Sequence, residues 1–164
     1  MQNTYKIAIL DMNAGHPNEG MRCIKMLAGD FLAQNERKGT YDIFEVRLKG
    51  QIPNLKDYDI FISSGGPGSP LASGEDWEKN YFDFLDALLY HNLSEYNQKH
   101  IFLICHSFQL ACLHWDLAKV TKRRSTSFGI LPIFKTISGE NETLFEGLEN
   151  PFYAVDSRDY QVVG

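Results

Sequence analysis

The sequence lacks the features that mark secreted, membrane-spanning and nucleic-acid-binding proteins. Its three cysteines are an odd number without framework spacing, which excludes a disulfide scaffold and fits reduced thiols. No apolar stretch approaches the length of a transmembrane helix, and the amino terminus shows no signal-peptide pattern. The formal net charge is -5, so we expect no nucleic-acid partner and no membrane partner. These absences together predict a cytoplasmic protein.

The chain also lacks internal repeats, low-complexity segments and the common nucleotide-binding motifs. Its glycine-rich turn at Gly65–Gly68 matches neither a phosphate-binding loop nor a dinucleotide fingerprint. The spacing of Cys105, Cys112 and His114 does not suit zinc, so we expect no metal and no cofactor. With 164 residues, the chain is long enough for one core and too short for two ordinary domains. We therefore predict a single domain over residues 1–164.

The spacing of the apolar residues predicts alternating strands and helices. Apolar runs predict strands at Lys6–Asp11, Tyr41–Leu48, Asp59–Ser63 and Ile101–Ile104. Apolar residues three and four apart predict a helix from Gly20, a second from Trp77 and a third after Cys105. The expected stripes are Met21, Ile24, Leu27, Ala28, Phe31 and Leu32 on the first helix and Tyr81, Phe84, Leu85, Leu88 and Leu89 on the second. In the third helix, apolar residues recur at Phe108, Leu110, Ala111 and Leu113. Such alternation predicts a parallel sheet covered on both faces.

The pattern changes after the third helix. Phe128–Ile137 and Phe152–Val163 are typical of strands, and a polar turn at Gly139–Thr143 and a short helical piece at Leu144–Leu148 separate them. The basic run Lys122–Arg124 is expected at a solvated strand or loop edge. Because an apolar strand rarely ends a domain without a strand to pair with, we expect the native chain to continue past its last residue.

Cys105 stands where a buried strand turns abruptly into a helix. A residue at such a turn projects above the carboxyl edge of the sheet, and the helix-start N–H groups favour a thiolate there. Cys105 alone is equally typical of a small buried core residue. The Gly65–Gly68 turn favours a nucleophile, because it ends another strand at the edge where α/β sheets bind ligands. Its glycines allow backbone N–H groups to approach an oxyanion.

The two turns together resemble those of the class I glutamine amidotransferases. In that family one strand ends in Gly-Gly-Pro-Gly and a later strand ends in Gly-x-Cys-x-Gly-x-Gln. Here the second motif reads Leu103-Ile104-Cys105-His106-Ser107-Phe108-Gln109, so the cysteine and glutamine match while Leu103 and Ser107 replace both glycines. Ser127–Ile133 resembles the strand after the elbow, and Phe152–Tyr160 resembles the substrate-binding strand and turn. The resemblance spans the whole chain and is greatest to the amidotransferase domain of GMP synthase and its stand-alone relatives.

The resemblance implies a flavodoxin-like three-layer α/β fold with a mostly parallel sheet. It also implies that Cys105 attacks the side-chain amide of glutamine and that the backbone N–H groups of Gly66 and His106 form the oxyanion hole. The residues implied to border the glutamine site are Gly68, Gln109, Ser157, Arg158, Asp159 and Tyr160. The implied partners are glutamine, a synthetase domain or subunit that receives ammonia, and a second copy of the chain in a homodimer.

The family also uses a His-x-Glu pair after the substrate-binding strand, which we expect beyond Gly164. Among the five histidines, His16 is the best-placed substitute, although a loop histidine with no role is the simpler interpretation. Two other functions stay open. One is a catalytically weak or inactive regulatory or binding relative, which the altered elbow glycines favour. The other is an acyltransferase or peptidase on the same scaffold, which would keep the cysteine elbow but would not account for the glutamine at position 109.

Overall fold

The predicted parallel sheet is present in the computed structural model, which describes residues 4–34, 39–71 and 73–164. Its four strands are β1 (Tyr5–Asp11), β2 (Gly39–Glu45), β3 (Ile60–Ser63) and β4 (His100–Leu103). They lie in the order β2-β1-β3-β4, and all three neighbouring pairs are parallel. The carboxyl ends of β3 and β4 therefore lie side by side.

Helices cover both faces of the sheet. They are α1 (Glu19–Ala33), α2 (Val46–Lys49), α3 (Asp76–Ser94) and α4 (His106–His114). On β1, Ile7 and Ile9 pack with the buried side of α1, whereas Ala8 and Leu10 belong to the cluster formed with α3 and α4. Because successive strand residues point to opposite faces, one strand supplies both apolar layers.

Local capping explains where the first two helices begin or end. The side chain of Asn18 accepts a hydrogen bond from the N–H of Met21 and so caps α1. Gly50, in the left-handed conformation at φ 64°, ends α2 and donates its N–H to the Val46 carbonyl. The predicted strand Tyr41–Leu48 is therefore wrong at its end, since its last residues from Val46 onward turn into this helix.

Two leucines of the predicted stripes do not face the core. Leu27 is 63% exposed and Leu89 is 45% exposed. The buried residues of α1 are Met21, Ile24, Ala28 and Leu32. At about 100° per residue, Leu27 lies roughly a quarter turn away from the centre of that stripe. Within the described ranges, none of the helices combines the length and the apolar composition that crossing a membrane requires.

The chain divides into two compact units. One extends to Val120 and includes Val162–Gly164, and the other is Thr121–Gln161. The predicted single domain over 1–164 stays a prediction. The second unit contains most of β5 (Lys119–Ile133) and β6 (Phe152–Val163), which form a two-stranded sheet. Side-chain hydrogen bonds join Arg123 to Gln161 and Ser127 to Asp156, in the opposite order typical of an antiparallel pair.

The boundaries within the second unit differ from the predicted ones. The strand predicted at Phe128–Ile137 begins nine residues earlier, at Lys119, and includes the basic run. It ends at Ile133, because a short helix α5 (Ile137–Glu140) starts where the side chain of Thr136 accepts the N–H of Gly139. The helical piece predicted at Leu144–Leu148 is a 3₁₀ turn at Thr143–Phe145.

Candidate functional site

Cys105 occupies a sharp turn between β4 and α4. Its backbone angles are φ 48° and ψ -101°, which L residues rarely adopt. The N–H of Ile104, one residue earlier, donates to the Ser63 carbonyl of β3 at 3.0 Å. The carbonyl of Cys105 itself accepts the N–H of Gln109 at 2.9 Å, which is a helical hydrogen bond. The chain therefore passes from strand pairing to helix within one residue. The side chain of Cys105 is exposed, as the predicted nucleophile position requires.

The glycine-rich turn and Cys105 are neighbours, as predicted. The turn follows β3 and Cys105 follows β4, and these two parallel strands pair directly. A Cβ atom built on Gly65 would lie 3.5 Å from the Cβ atom of Cys105, an ordinary van der Waals distance. The backbone of the turn therefore lies beside the base of the Cys105 side chain.

Two positions of the turn require glycine. A Cβ atom on Gly66 would overlap the carbonyl oxygen of Met12 and would lie 3.2 Å from Nη1 of Arg47. Gly68 has φ 92°, where a side chain is strained. The loop after β1 therefore packs directly against the backbone of the turn after β3.

The hydroxyl of Ser64 fixes one peptide group of the turn. It accepts the N–H of Met12 at 2.9 Å and donates to the carbonyl of Gly65 at 2.8 Å. Because C=O and N–H point in opposite directions in a trans peptide, this contact also sets the direction of the Gly66 N–H. Ser64 therefore orients the backbone group that the resemblance implies for the oxyanion hole.

A buried hydroxyl chain connects the turn to the start of α4. The Ser107 hydroxyl donates to the Ser64 carbonyl at 2.5 Å and lies 2.8 Å from the hydroxyl of Ser63, which is 2.9 Å from that of Tyr81. Since the hydroxyl of Ser107 has one proton, Ser63 donates to Ser107 and Tyr81 donates to Ser63. Ser107, which stands where the family has glycine, thus links the two turns.

His106 provides a backbone N–H at the first position of α4, where the helix itself supplies no acceptor. Its side chain is 2% exposed. Burial and, to a smaller extent, the positive charge of Arg47 lower the pKa of its imidazole, the charge of Glu78 opposes them, and together they bring the pKa to about 4. The side chain of His106 is therefore neutral at pH 7.

Sequence analysis did not identify Arg47, which supports the glycine-rich turn, or Glu78, which holds the segment before α3. Arg47 Nη1 donates to the carbonyl oxygens of Met12 and Pro67, at 3.2 and 2.6 Å. The Glu78 carboxylate accepts the N–H groups of Ser73 and Gly74 and the hydroxyl of Ser73. Burial raises the pKa of Glu78, but these hydrogen bonds and the charge of Arg47 outweigh burial and lower the pKa overall.

Comparison with known proteins identifies the fold. No protein-family model matches the chain, and no curated protein is significantly similar to it. The chain is similar to the crystal structure of SMU.1228c, with a TM-score of 0.65 and 17% sequence identity. The match covers 94% of this chain and 62% of SMU.1228c, so the chain spans less than two thirds of that protein. The fold is flavodoxin-like.

In this fold, Gln109 is buried one turn into α4, the helix that follows Cys105. Ser157, Arg158, Asp159 and Tyr160 lie in β6. In the second unit, Arg158 pairs with Asp156 at 3.0 Å, and Asp159 accepts the hydroxyl of Thr126 at 2.5 Å. The predicted contacts of Gln109 and of these four β6 residues with glutamine stay predictions.

His16 lines a groove beside β2. The groove is also lined by Asp11 at the end of β1 and by Ile43 and Glu45 of β2. Since β3 and β4 lie on the other side of β1, this groove is on the side of the sheet away from Cys105. The position gives no support to His16 as a partner of the cysteine. In the described part of the chain, the His, Cys, Asp and Glu side chains form no group of three or more that could hold a metal ion.

Proposed function

We propose that this protein is a glutaminase related to the class I glutamine amidotransferases, with Cys105 as its nucleophile. The observation that supports this most is the elbow itself, where an exposed cysteine at positive φ has its Cβ atom beside Gly65 of the glycine-rich turn. A strained backbone conformation persists where surrounding contacts hold it, and such residues cluster at active sites. Here those contacts include the buried hydroxyl chain through Ser107.

In the proposed reaction, the thiolate of Cys105 attacks the side-chain amide carbon of glutamine. The carbonyl oxygen gains negative charge, which the N–H groups of Gly66 and His106 stabilise. A proton delivered to the amide nitrogen, for which the resemblance implies the His-x-Glu pair, lets ammonia leave and gives a glutamyl thioester. Water then loses a proton to the same pair and hydrolyses the thioester, which releases glutamate and restores the thiolate of Cys105. The ammonia passes to a synthetase domain or subunit.

The neutral state of the His106 side chain is compatible with this role. If the imidazole gained its proton near pH 7, the electrostatic potential at the oxyanion hole would change with pH. A neutral imidazole leaves stabilisation of the oxyanion to the backbone N–H dipoles. The contribution of His106 to the reaction is therefore its N–H at the positive end of α4.

Ammonia release from glutamine tests the proposal. Ammonia release by the purified protein is expected to depend on Cys105, so Cys105→Ala should abolish the release. The matched control is Cys23→Ala, which changes a half-buried thiol on α1 and should leave the rate unchanged. Activity that survives Cys105→Ala would contradict the proposed nucleophile.

One observation favours a second candidate, an inactive binding or regulatory relative. Both elbow glycines of the family are replaced, and Ser107 is fully buried and hydrogen-bonded. Isothermal titration calorimetry distinguishes the candidates. Glutamine binding by the wild-type protein without ammonia release would favour the binding relative, whereas binding with Cys105-dependent release would favour the enzyme.

A further inference from the structure

Arg47 lies at the junction of the loops that follow β1 and β3. It belongs to the short helix α2, directly after β2. Its Nη1 atom donates to two carbonyl oxygens at once, that of Met12 after β1 at 3.2 Å and that of Pro67 in the glycine-rich turn at 2.6 Å. A single charged donor therefore joins the two loops whose backbones already meet at Gly66.

The guanidinium group of Arg47 is held from a second side. Its Cζ atom lies 5.2 Å from the centre of the Trp77 ring, within the range of a cation–π contact. The carboxylate of Glu78, one residue along α3, experiences the charge of Arg47. Trp77 and Glu78 are both buried, so the guanidinium lies among neighbours that are themselves packed in the interior.

The Nε atom of Arg47 is buried and has no hydrogen-bond partner within the described part of the chain. Such an unsatisfied donor costs free energy and calls for an explanation. The side chain gives up this hydrogen bond because its terminal nitrogen must reach the carbonyls of Met12 and Pro67.

Arg47 and Ser64 hold the turn from opposite ends. Ser64 fixes the Gly65 carbonyl, and Arg47 fixes the Pro67 carbonyl. Because each peptide group is planar, the first contact restricts the peptide between Gly65 and Gly66, and the second restricts the peptide between Pro67 and Gly68. We propose that Arg47 is a positioning residue that keeps the Gly66 N–H directed at the oxyanion of the bound substrate. This inference rests on the proposed glutaminase function.

The experiment has one arm that depends on turnover and one that does not. The first arm measures kcat and KM for ammonia release from glutamine. Arg47→Met is expected to lower kcat about 100-fold, the usual effect of losing one oxyanion donor, with KM changed by less than about threefold. Arg47→Lys keeps the charge and one donor, so it should recover part of the loss.

The second arm measures amide hydrogen exchange in the peptide that contains Gly65, Gly66 and Gly68. Without the two hydrogen bonds of Arg47, exchange in this peptide should be at least about tenfold faster, while exchange in β1 stays unchanged. Arg22→Met is the matched control, because Arg22 forms an exposed ion pair with Glu19 on α1. It should change neither kcat nor exchange in the turn.

The outcomes separate this inference from the proposed function. Absence of ammonia release by the wild-type protein would overturn the proposed function and, with it, the role of Arg47 toward an oxyanion. In an active protein, unchanged kcat or unchanged exchange in the turn of Arg47→Met would overturn the inference alone. Faster exchange throughout β1 and β3, with no recovery in Arg47→Lys, would likewise overturn it by showing a general structural role.

Discussion

The buried imidazole of His106 is expected to make the protein less stable in mild acid. Its pKa is about 4 in the folded protein, below the ordinary value of 6.5, so the unfolded chain binds a proton more readily than the folded chain. The contribution of His106 to stability is therefore fully present above pH 6.5 and is lost as the pH falls toward 4. At about 1.4 kcal/mol per tenfold difference in proton affinity, the total loss is about 3 kcal/mol.

The range between pH 7 and pH 5.5 isolates this effect. There the linkage relation gives a loss of about 1 kcal/mol from His106. Glu78, whose pKa is below its ordinary value of 4.5, remains ionised throughout that range. Its stabilising contribution is lost only at lower pH, as the pH falls through its folded-state pKa. A loss measured between pH 7 and pH 5.5 is therefore not due to this carboxylate.

Urea unfolding at pH 7, 5.5 and 4 measures the free energy of unfolding of the wild-type protein and of His106→Gln. The variant carries a neutral amide, so its stability should fall by about 1 kcal/mol less than that of the wild type between pH 7 and pH 5.5. His16→Gln is the control, because His16 is exposed in the loop after β1. If the wild type and His106→Gln show the same pH dependence, the imidazole of His106 is not buried beside Arg47 as described.

Two further predictions concern the elbow. Limited alkylation followed by mass spectrometry should label Cys105 before Cys23 and Cys112. Cys105 is exposed at a helix start, whereas burial raises the pKa of Cys112. Earlier labelling of Cys23 or Cys112 would refute the elbow assignment. Ser107→Ala should lower the free energy of unfolding, measured by urea denaturation, by about 1–3 kcal/mol, because it leaves the buried Ser63 hydroxyl and Ser64 carbonyl without this partner. The control Ser94→Ala changes an exposed serine and should have no more than about half that effect.

The sequence predicted the parts of the fold that depend on local patterns. The apolar runs of β1, β3 and β4 identified the sheet, and the change from Ile104 through Cys105 to the apolar spacing of α4 identified the elbow. The positions of Gly66 and Cys105 at one edge followed from the rule that parallel strands end together. These features could be predicted because each is determined by neighbouring residues or by a general rule of topology.

The supports of the glycine-rich turn could not be predicted in the same way. Arg47 contacts Met12 and Pro67, which are 35 and 20 residues away along the chain. Its own segment continues the apolar pattern of β2, so the pattern predicts a strand at Val46, which is the first residue of a helix. Ser63 and Ser64 likewise give no local sign that their hydroxyls bond to Ser107 and Met12.

The direct pairing of β3 with β4 makes the spacing of the two turns independent of the chain that connects them. Neighbouring strands lie about 4.8 Å apart, and the bond from Ile104 to Ser63 fixes that separation at the ends of both strands. The connection contains the 19-residue helix α3, whose length does not enter this distance. Surface insertions between α3 and β4 can therefore accumulate without moving Gly65 relative to Cys105, so this fold can acquire new contacts for partners while keeping one reaction geometry.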